Sequence, residues 1–317
     1  MATKPTITIA DAPFNDPADS VDLVIRTADN VDFYVLSGLL SLKSPSSFFR
    51  HVLKSSQHTE EKDGYPVLEV KEDSDTFRTI LLLCYPDVAP QIKSIDQIVA
   101  VKEALDKYCM DHAQEKFMQT VTASPLMKEQ ALRIFVLALV NGWRVLGEAA
   151  AKSALAIPLD DPEAELDDLC SINALQYVRL RNYHRKCRSV ALNLNAATWK
   201  KGKESELLFL HHWGLSTCRW CGRSLNYSSA VDFPAHPWVS DYFTAVKTEM
   251  LRRPHPEFAL DDVIIADAVS KSVYQCPHDE WKKIATSQIR LGGKFLMEEV
   301  DKQISQASRA MLAQHPI

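Results

Sequence analysis

The sequence predicts an α+β fold. A short β-sheet flanked by helices occupies the N-terminal third, an all-α extension follows, and a Trp/Cys-rich, mainly helical module ends the chain. Three observations predict this. Apolar and polar residues alternate between positions 21 and 35, the period of paired strands. Beyond position 75 the apolar residues recur at helical spacing. The chain also holds only 9 glycines in 317 residues, against roughly 22 at an average usage of about 7%. Phosphate-cradling loops, nucleophile elbows and dinucleotide folds need glycine where φ is positive or where backbone approaches a ligand. The shortage therefore points to helices joined by proline-marked turns.

The elements follow in order. Residues 1–20 read as an irregular leader. Val21, Leu23 and Ile25, then Val31, Phe33 and Val35, flank Ala28-Asp29-Asn30 and predict a hairpin with one buried face. Leu36–Lys43 and Pro45–Lys54 read as short helices, 55–66 as a polar loop and Val67–Val70 as a strand. Asp75 is the expected cap of a helix carrying Phe77, Ile80, Leu81, Cys84 and Tyr85, stopped by Pro86. Ser94 opens a second helix with Ile98, Val99 and Leu105 inward, and a third carries Met110, Ala113, Phe117 and Val121. Pro125 is the expected boundary. After it come a buried helix over 127–141, apolar nearly all round at Ile134–Val140, and an alanine-rich stretch over 144–156. An acidic loop over 158–168 leads to a long helix over 172–194. Further helices are expected at 205–212, 238–252, 261–273 and 284–310, in a region holding five of the six tryptophans.

With 36 basic and 41 acidic residues the net charge is −5, which supplies no overall attraction for nucleic acid. No apolar run approaches the ~18 residues of a membrane span. The N-terminal residues lack a secretory h-region, so the seven cysteines are expected as thiols or metal ligands in the cytoplasm or nucleus.

The first third carries a recognisable order. Asp22-Leu23-Val24-Ile25, Phe33-Tyr34-Val35, Leu39-Leu40, Ser44-Pro45 and Phe48-Phe49 are followed by Pro66-Val67-Leu68, Phe77, Ile80-Leu81-Leu82, Tyr85-Pro86 and Asp106-Lys107-Tyr108-Cys109-Met110. This set resembles a BTB/POZ domain, and the last two motifs are most similar to the large fungal group of BTB proteins. One departure stands out. BTB domains commonly have His-Arg or His-Lys after the second strand, and here those positions are Leu36-Ser37. The charged pocket that BTB transcription factors build from that basic residue and the Asp at position 22 lacks its basic half. The leader also lacks the amphipathic helix that BTB homodimers swap. Tyr177–Leu180 and Tyr183–Cys187 resemble the helical extension of the same proteins.

The resemblance implies an interaction domain over 18–122 and a helical (BACK-like) extension over 125–195; the looser, Trp/Cys-rich pattern after Asn195 marks a C-terminal module over 196–317. The resemblance also implies protein partners: self-association, or bridging a client to a cullin ubiquitin-ligase scaffold. The expected scaffold contact is the helix pair 75–85 and 94–108 with the loop between, with Phe77, Leu81, Tyr85 and Tyr108 as partner-binding residues. No catalytic residues and no enzyme activity are expected.

The sharpest local motif is Cys218-Arg219-Trp220-Cys221-Gly222. Two thiolates at this spacing can hold one tetrahedral Zn²⁺, and the following glycine permits the tight turn. Cys276 and His278 are the expected second half, with His211, His212 or His236 as substitutes for His278. The competing readings are a pair of packed thiols and a redox pair, the latter wanting a strand before and a helix after. The alternative function is a zinc-containing, transcription-linked regulator using Arg179, Arg181, Arg185, Lys186 and Arg188; against it, that helix is expected to pair with the acidic loop before it. Gly214–Cys218 misses the nucleophile-elbow pattern by its last residue, and Gly142 to Glu148 lacks a P-loop lysine.

Overall fold

In the computed structural model the described residues are 6–18, 20–43, 60–86, 89–160, 167–192, 217–218, 221–228 and 233–314. The predicted helices Pro45–Lys54 and 205–212, the motifs Ser44-Pro45 and Phe48-Phe49, residues Asp161, Glu163 and Glu165, and Trp199, Trp213 and Trp220 lie outside them, as do His211 and His212. The chain divides into two compact units, Met1–Phe135 and Val136–Ile317.

The first unit is built on a five-stranded sheet, in the order β1-β3-β2-β5-β4. Its strands are β1 (Thr8–Ile9), β2 (Leu23–Arg26), β3 (Val31–Val35), β4 (Glu61–Lys62) and β5 (Tyr65–Glu69). β2 and β3 form the predicted hairpin, with Ile25 opposite Phe33 and Arg26 opposite Asp32. Asn30 takes a positive φ of 63° in the turn, a conformation Asn tolerates. β5 lies parallel to β2, and β1 parallel to β3.

The hairpin is buried on both faces, where one was expected. One face carries Leu23, Ile25, Phe33 and Val35, and the Phe33 ring meets Phe14 and Phe77. The other is covered by a small cluster of Val24, Tyr34 and Val67 with Val21 and Tyr65 packed on it. Period-two alternation cannot announce this second cluster, because it is completed by β5, the neighbouring strand of the same sheet, and by Val21 before β2.

α1 (Ser37–Lys43) follows β3 directly. The side chain of Asp22 accepts hydrogen bonds from the Ser37 N–H (2.6 Å) and hydroxyl (2.7 Å) at its start. Asp22 therefore serves the first turn of α1, and the Ser37 that replaces the expected basic residue is its donor. α2 (Ser74–Cys84) is capped by Asp73, which accepts from the Thr76 N–H at 2.8 Å. Asp75 was the expected cap, but the cap must reach a donor about three residues on. Asp75 lies instead in the first turn, where a carboxylate complements the helix dipole. α3 (Ile95–Lys107) is capped by Ser94 as predicted. α4 (Asp111–Ala123) buries Ala113, Phe117 and Val121, and the short α5 (Leu126–Glu129) follows.

α6 (Ala131–Asn141) contains the division between units, about ten residues after the expected boundary at Pro125. Ile134 and Phe135 are fully buried, while Val140 near its end is 65% exposed, so the predicted all-round burial stops short of the last turn.

The second unit contains α7 (Arg144–Ser153), α8 (Ala174–Leu192), a strand pair β6 (Asn226–Ser228) and β7 (Phe233–Ala235), then α9 (Pro237–Arg252), α10 (Asp262–Gln275) and α11 (Asp279–Gln314). α11 buries Trp281, Ala285, Ile289, Leu296, Val300 and Ile304. Its Gly293 lies where a Cβ would stand 2.6 Å from the Ala259 carbonyl oxygen and 3.0 Å from the Tyr242 hydroxyl. Only glycine lets the helix come that close.

Candidate metal centre and interaction surface

Cys218 and Cys221 sit on a tight knuckle. The Gly222 N–H donates to the Cys218 carbonyl (2.8 Å), and the Cys218 N–H donates to the Arg223 carbonyl (2.7 Å). Gly222 turns the chain with φ of +69°, a conformation that side-chain-bearing residues rarely adopt. A single bridge joins Thr217 to Ser224, and the chain runs on into β6 rather than a helix. The helix-following context of a redox CxxC is therefore missing.

Two other segments bring donors to this knuckle. His236 immediately precedes Pro237, the first residue of α9, and Cys276 caps the C-terminus of α10 through its N–H to Ser272 (2.8 Å). Gln275 secures both approaches. Its carbonyl accepts from Arg223 Nη1 (2.8 Å), and its side-chain oxygen accepts from the Trp238 N–H (2.9 Å).

One donor atom from each of Cys218, Cys221, His236 and Cys276 lies within 4.8 Å of all the others. The Cys218 and Cys276 sulfurs are 3.8 Å apart. Two Zn–S bonds of ~2.3 Å at the tetrahedral angle span about 3.8 Å, whereas a disulfide spans ~2.05 Å. The Cys₃His donor set is thus compatible with a structural zinc ion.

Burial pushes the Cys276 thiol up to about 12, and the neighbouring sulfurs of Cys221 and Cys218 push the same way. Burial also acts upward on Cys221, but the Arg223 backbone, Cys218 and Cys276 hydrogen-bond to it and hold its thiol below the usual range. Cys218 and Cys276 are almost fully buried; Cys221 is half-exposed.

Three of the four expected ligands, Cys218, Cys221 and Cys276, are therefore gathered, and the histidine beside them is His236. The expected His278 is exposed and outside the cluster. Pro277 follows the end of α10, and His278 falls at the start of α11, where its carbonyl accepts from Lys282. His236 is one of the three histidines that the sequence offers as substitutes for His278.

Of the expected partner-binding residues, Phe77, Leu81 and Tyr108 are core residues of the first unit, each 1% exposed or less. The Tyr108 hydroxyl donates to Glu72. Tyr85 is half-buried, its ring edge-on to Phe14 and its hydroxyl accepting from the Leu36 N–H. A groove of about 620 Å³ runs between the loop after α2 and α4, lined by Pro90, Ile92, Lys93, Lys116, Gln119 and Ala123 among others. Lys116 fixes one wall by donating to the Leu83 and Tyr85 carbonyls, each at 3.2 Å, at the end of α2.

The basic helix α8 is partly committed. Arg181 and Arg188 both hold Asp160, at 2.5 and 2.6 Å, as the local pairing expectation had it. His184 lies between them with Nε2 3.1 Å from the Ile157 carbonyl. Burial, chiefly, pulls its pKa down to about 4.

Among the described residues, no helix is long and apolar enough to cross a membrane. Comparison with curated proteins finds no match. The family model for the BTB/POZ domain matches residues 13–124. The hairpin, the parallel return strand and the three helices packed over them belong to that match, and residues 13–124 are a BTB/POZ domain, a non-enzymatic module of protein–protein interaction.

Proposed function

We propose that this chain is a non-enzymatic adaptor of the cytoplasm or nucleus. Its BTB/POZ domain binds a cullin ubiquitin-ligase scaffold, and its C-terminal unit, pinned by a structural zinc ion, carries the client surface. The observation that supports the scaffold reading is the groove beside α4. It is concave and largely apolar, and its wall is stiffened by Lys116. Burial of apolar surface in a formed groove is how such modules bind, with no covalent step. The zinc reading rests on four protein donors converging from three segments. A fully protein-ligated tetrahedral site leaves no open position for substrate, which is the structural kind. The Asp106–Met110 helix end and the Tyr85-Pro86 pair favour membership in the fungal BTB group.

The test uses the purified full chain against purified cullin N-terminal domains by biolayer interferometry. Ala123→Arg fills the groove from an exposed position and disturbs no core residue. Binding by the unaltered chain and a loss of about tenfold or more in the variant are expected. No binding to any cullin, or binding unchanged by the variant, contradicts the reading.

A further inference from the structure

The three sulfurs of the knuckle site are unequal in a way the zinc reading does not use. Cys218 and Cys276 are 2% and 1% exposed, closed off behind the turn and the end of α10. Cys221 is half-exposed, and exposed Gly222 and Arg223 follow it. Oxidation of cysteine needs a thiolate and a path for the oxidant. Zinc ligation supplies the first, since a coordinating thiol is held deprotonated. The half-open knuckle supplies the second. The two exposed cysteines, Cys109 and Cys170, belong to no such cluster among the described residues, and Cys221 is the most accessible sulfur of the centre.

We propose that Cys221 is the peroxide-sensitive position of this centre, and that its oxidation releases the metal ion and unpins the knuckle from α9 and α10. This rests on the zinc reading above. The Cys221 sulfur attacks one oxygen of hydrogen peroxide; an S–O bond forms, the O–O bond breaks, and sulfenic acid and hydroxide result. The thiolate of Cys218 or Cys276 then attacks the Cys221 sulfur, forms an S–S bond and expels a second hydroxide. The two sulfurs give up two electrons and the peroxide takes them up. The ion is left with one thiolate and one imidazole and dissociates.

The neighbours are already in place for the second step. The Cys218 and Cys276 sulfurs each lie within 4.8 Å of the Cys221 sulfur. Closing a disulfide requires only a small inward movement to ~2.05 Å once the ion no longer holds the sulfurs apart.

The test measures zinc in the purified full chain, then follows zinc release with a chromogenic chelator during hydrogen peroxide treatment. Mass spectrometry maps the oxidised cysteines at intervals. The expected result is release in step with a disulfide containing Cys221, reversed by dithiothreitol and added zinc. Cys221→His keeps four donors and removes the partly exposed thiol; its release is expected to be slower by about tenfold or more. Should that variant hold no zinc, the order of oxidation in the unaltered chain decides. Chain purified without zinc overturns the zinc reading itself. Zinc-loaded chain that keeps its metal under peroxide, or that loses it while only Cys109 or Cys170 is oxidised, overturns the proposal and leaves the zinc reading standing. Equal release rates in Cys221→His overturn it as well.

Discussion

Cys218 and Cys276 are 58 positions apart in the chain and hold their sulfurs 3.8 Å apart. One sits on the knuckle and the other ends α10, so a metal ion shared by the two would fasten a loop to that helix. Removing Cys276 should therefore cost more than one buried thiol. Cys276→Ser is expected to lose bound zinc and to expose the region around Cys218–Trp238 to limited proteolysis, with the BTB/POZ domain still folded. A chelator should do the same to the unaltered chain, because structural zinc contributes folding energy directly. Proteolysis with and without chelator, read by mass spectrometry, checks both.

Arg26 and Asp32 face each other across the hairpin, and Asp32 is fully buried. Arg26 Nε and Lys62 Nζ each hold the carboxylate at 2.7 Å. Burial would raise this carboxyl, but Arg26 and Lys62 hold it below the usual range. Arg26→Met is expected to destabilise the first unit by about 3 kcal/mol, because it leaves a buried charge short of its main partner. Adding Asp32→Val should recover most of that loss, since Lys62 and Glu60 can turn to solvent. Urea denaturation of the single and double variants measures the difference.

His184 gives the second unit an acid-sensitive element. Its folded pKa of about 4 lies below the ordinary 6.5, so the folded state prefers the neutral ring. The stabilisation is fully present above pH 6.5 and is lost as pH falls from there toward 4. Between pH 7.5 and 5.5 the expected loss is about 1 kcal/mol. His184→Asn should show a smaller fall over that range. Equal pH dependence in the two chains would remove His184 as its source.

At Gly293 two effects oppose each other. Alanine is favoured over glycine in a helix interior by about 1 kcal/mol. The added Cβ would meet the Ala259 carbonyl at 2.6 Å, and that oxygen is itself held by the Tyr242 hydroxyl at 2.6 Å. Neither neighbour is a flexible side-chain tip. Gly293→Ala is expected to destabilise by a net ~1–3 kcal/mol, because overpacking wins. A melting temperature equal to or above that of the unaltered chain would reverse this.

Much of the first unit was legible because its signals are local. The alternation around Ala28-Asp29-Asn30 marks the hairpin, and Ser94 lies three residues before the N–H it accepts from. Asp73 and Asp75 are both plausible caps by residue type, and only the observed hydrogen bond to Thr76 separates them. Phe77, Leu81 and Tyr108 were expected to meet a partner, yet a helical apolar stripe marks what a domain buries in itself, and these three are core. The groove at Ala123 left no periodic signal, since it is formed between a loop and a helix face.

At the candidate metal centre, Cys218 and Cys221 were readable because a knuckle is a local motif. Cys276 was readable as the next cysteine followed by a proline. His278 looked like its companion because it is two residues away. Chain direction decides otherwise: α10 ends at Gln275, and the chain carries His278 outward. His236 reaches the site from the start of α9, which no spacing rule connects to the other three.

Zinc K-edge X-ray absorption on the purified full chain, with metal content measured on the same sample, is the most direct test of the proposed zinc centre in the C-terminal unit. The expected result is about one zinc per chain with three sulfurs at ~2.3 Å and one nitrogen at ~2.0–2.1 Å. Metal-free chain, or a shell dominated by oxygen or by four sulfurs, would contradict it.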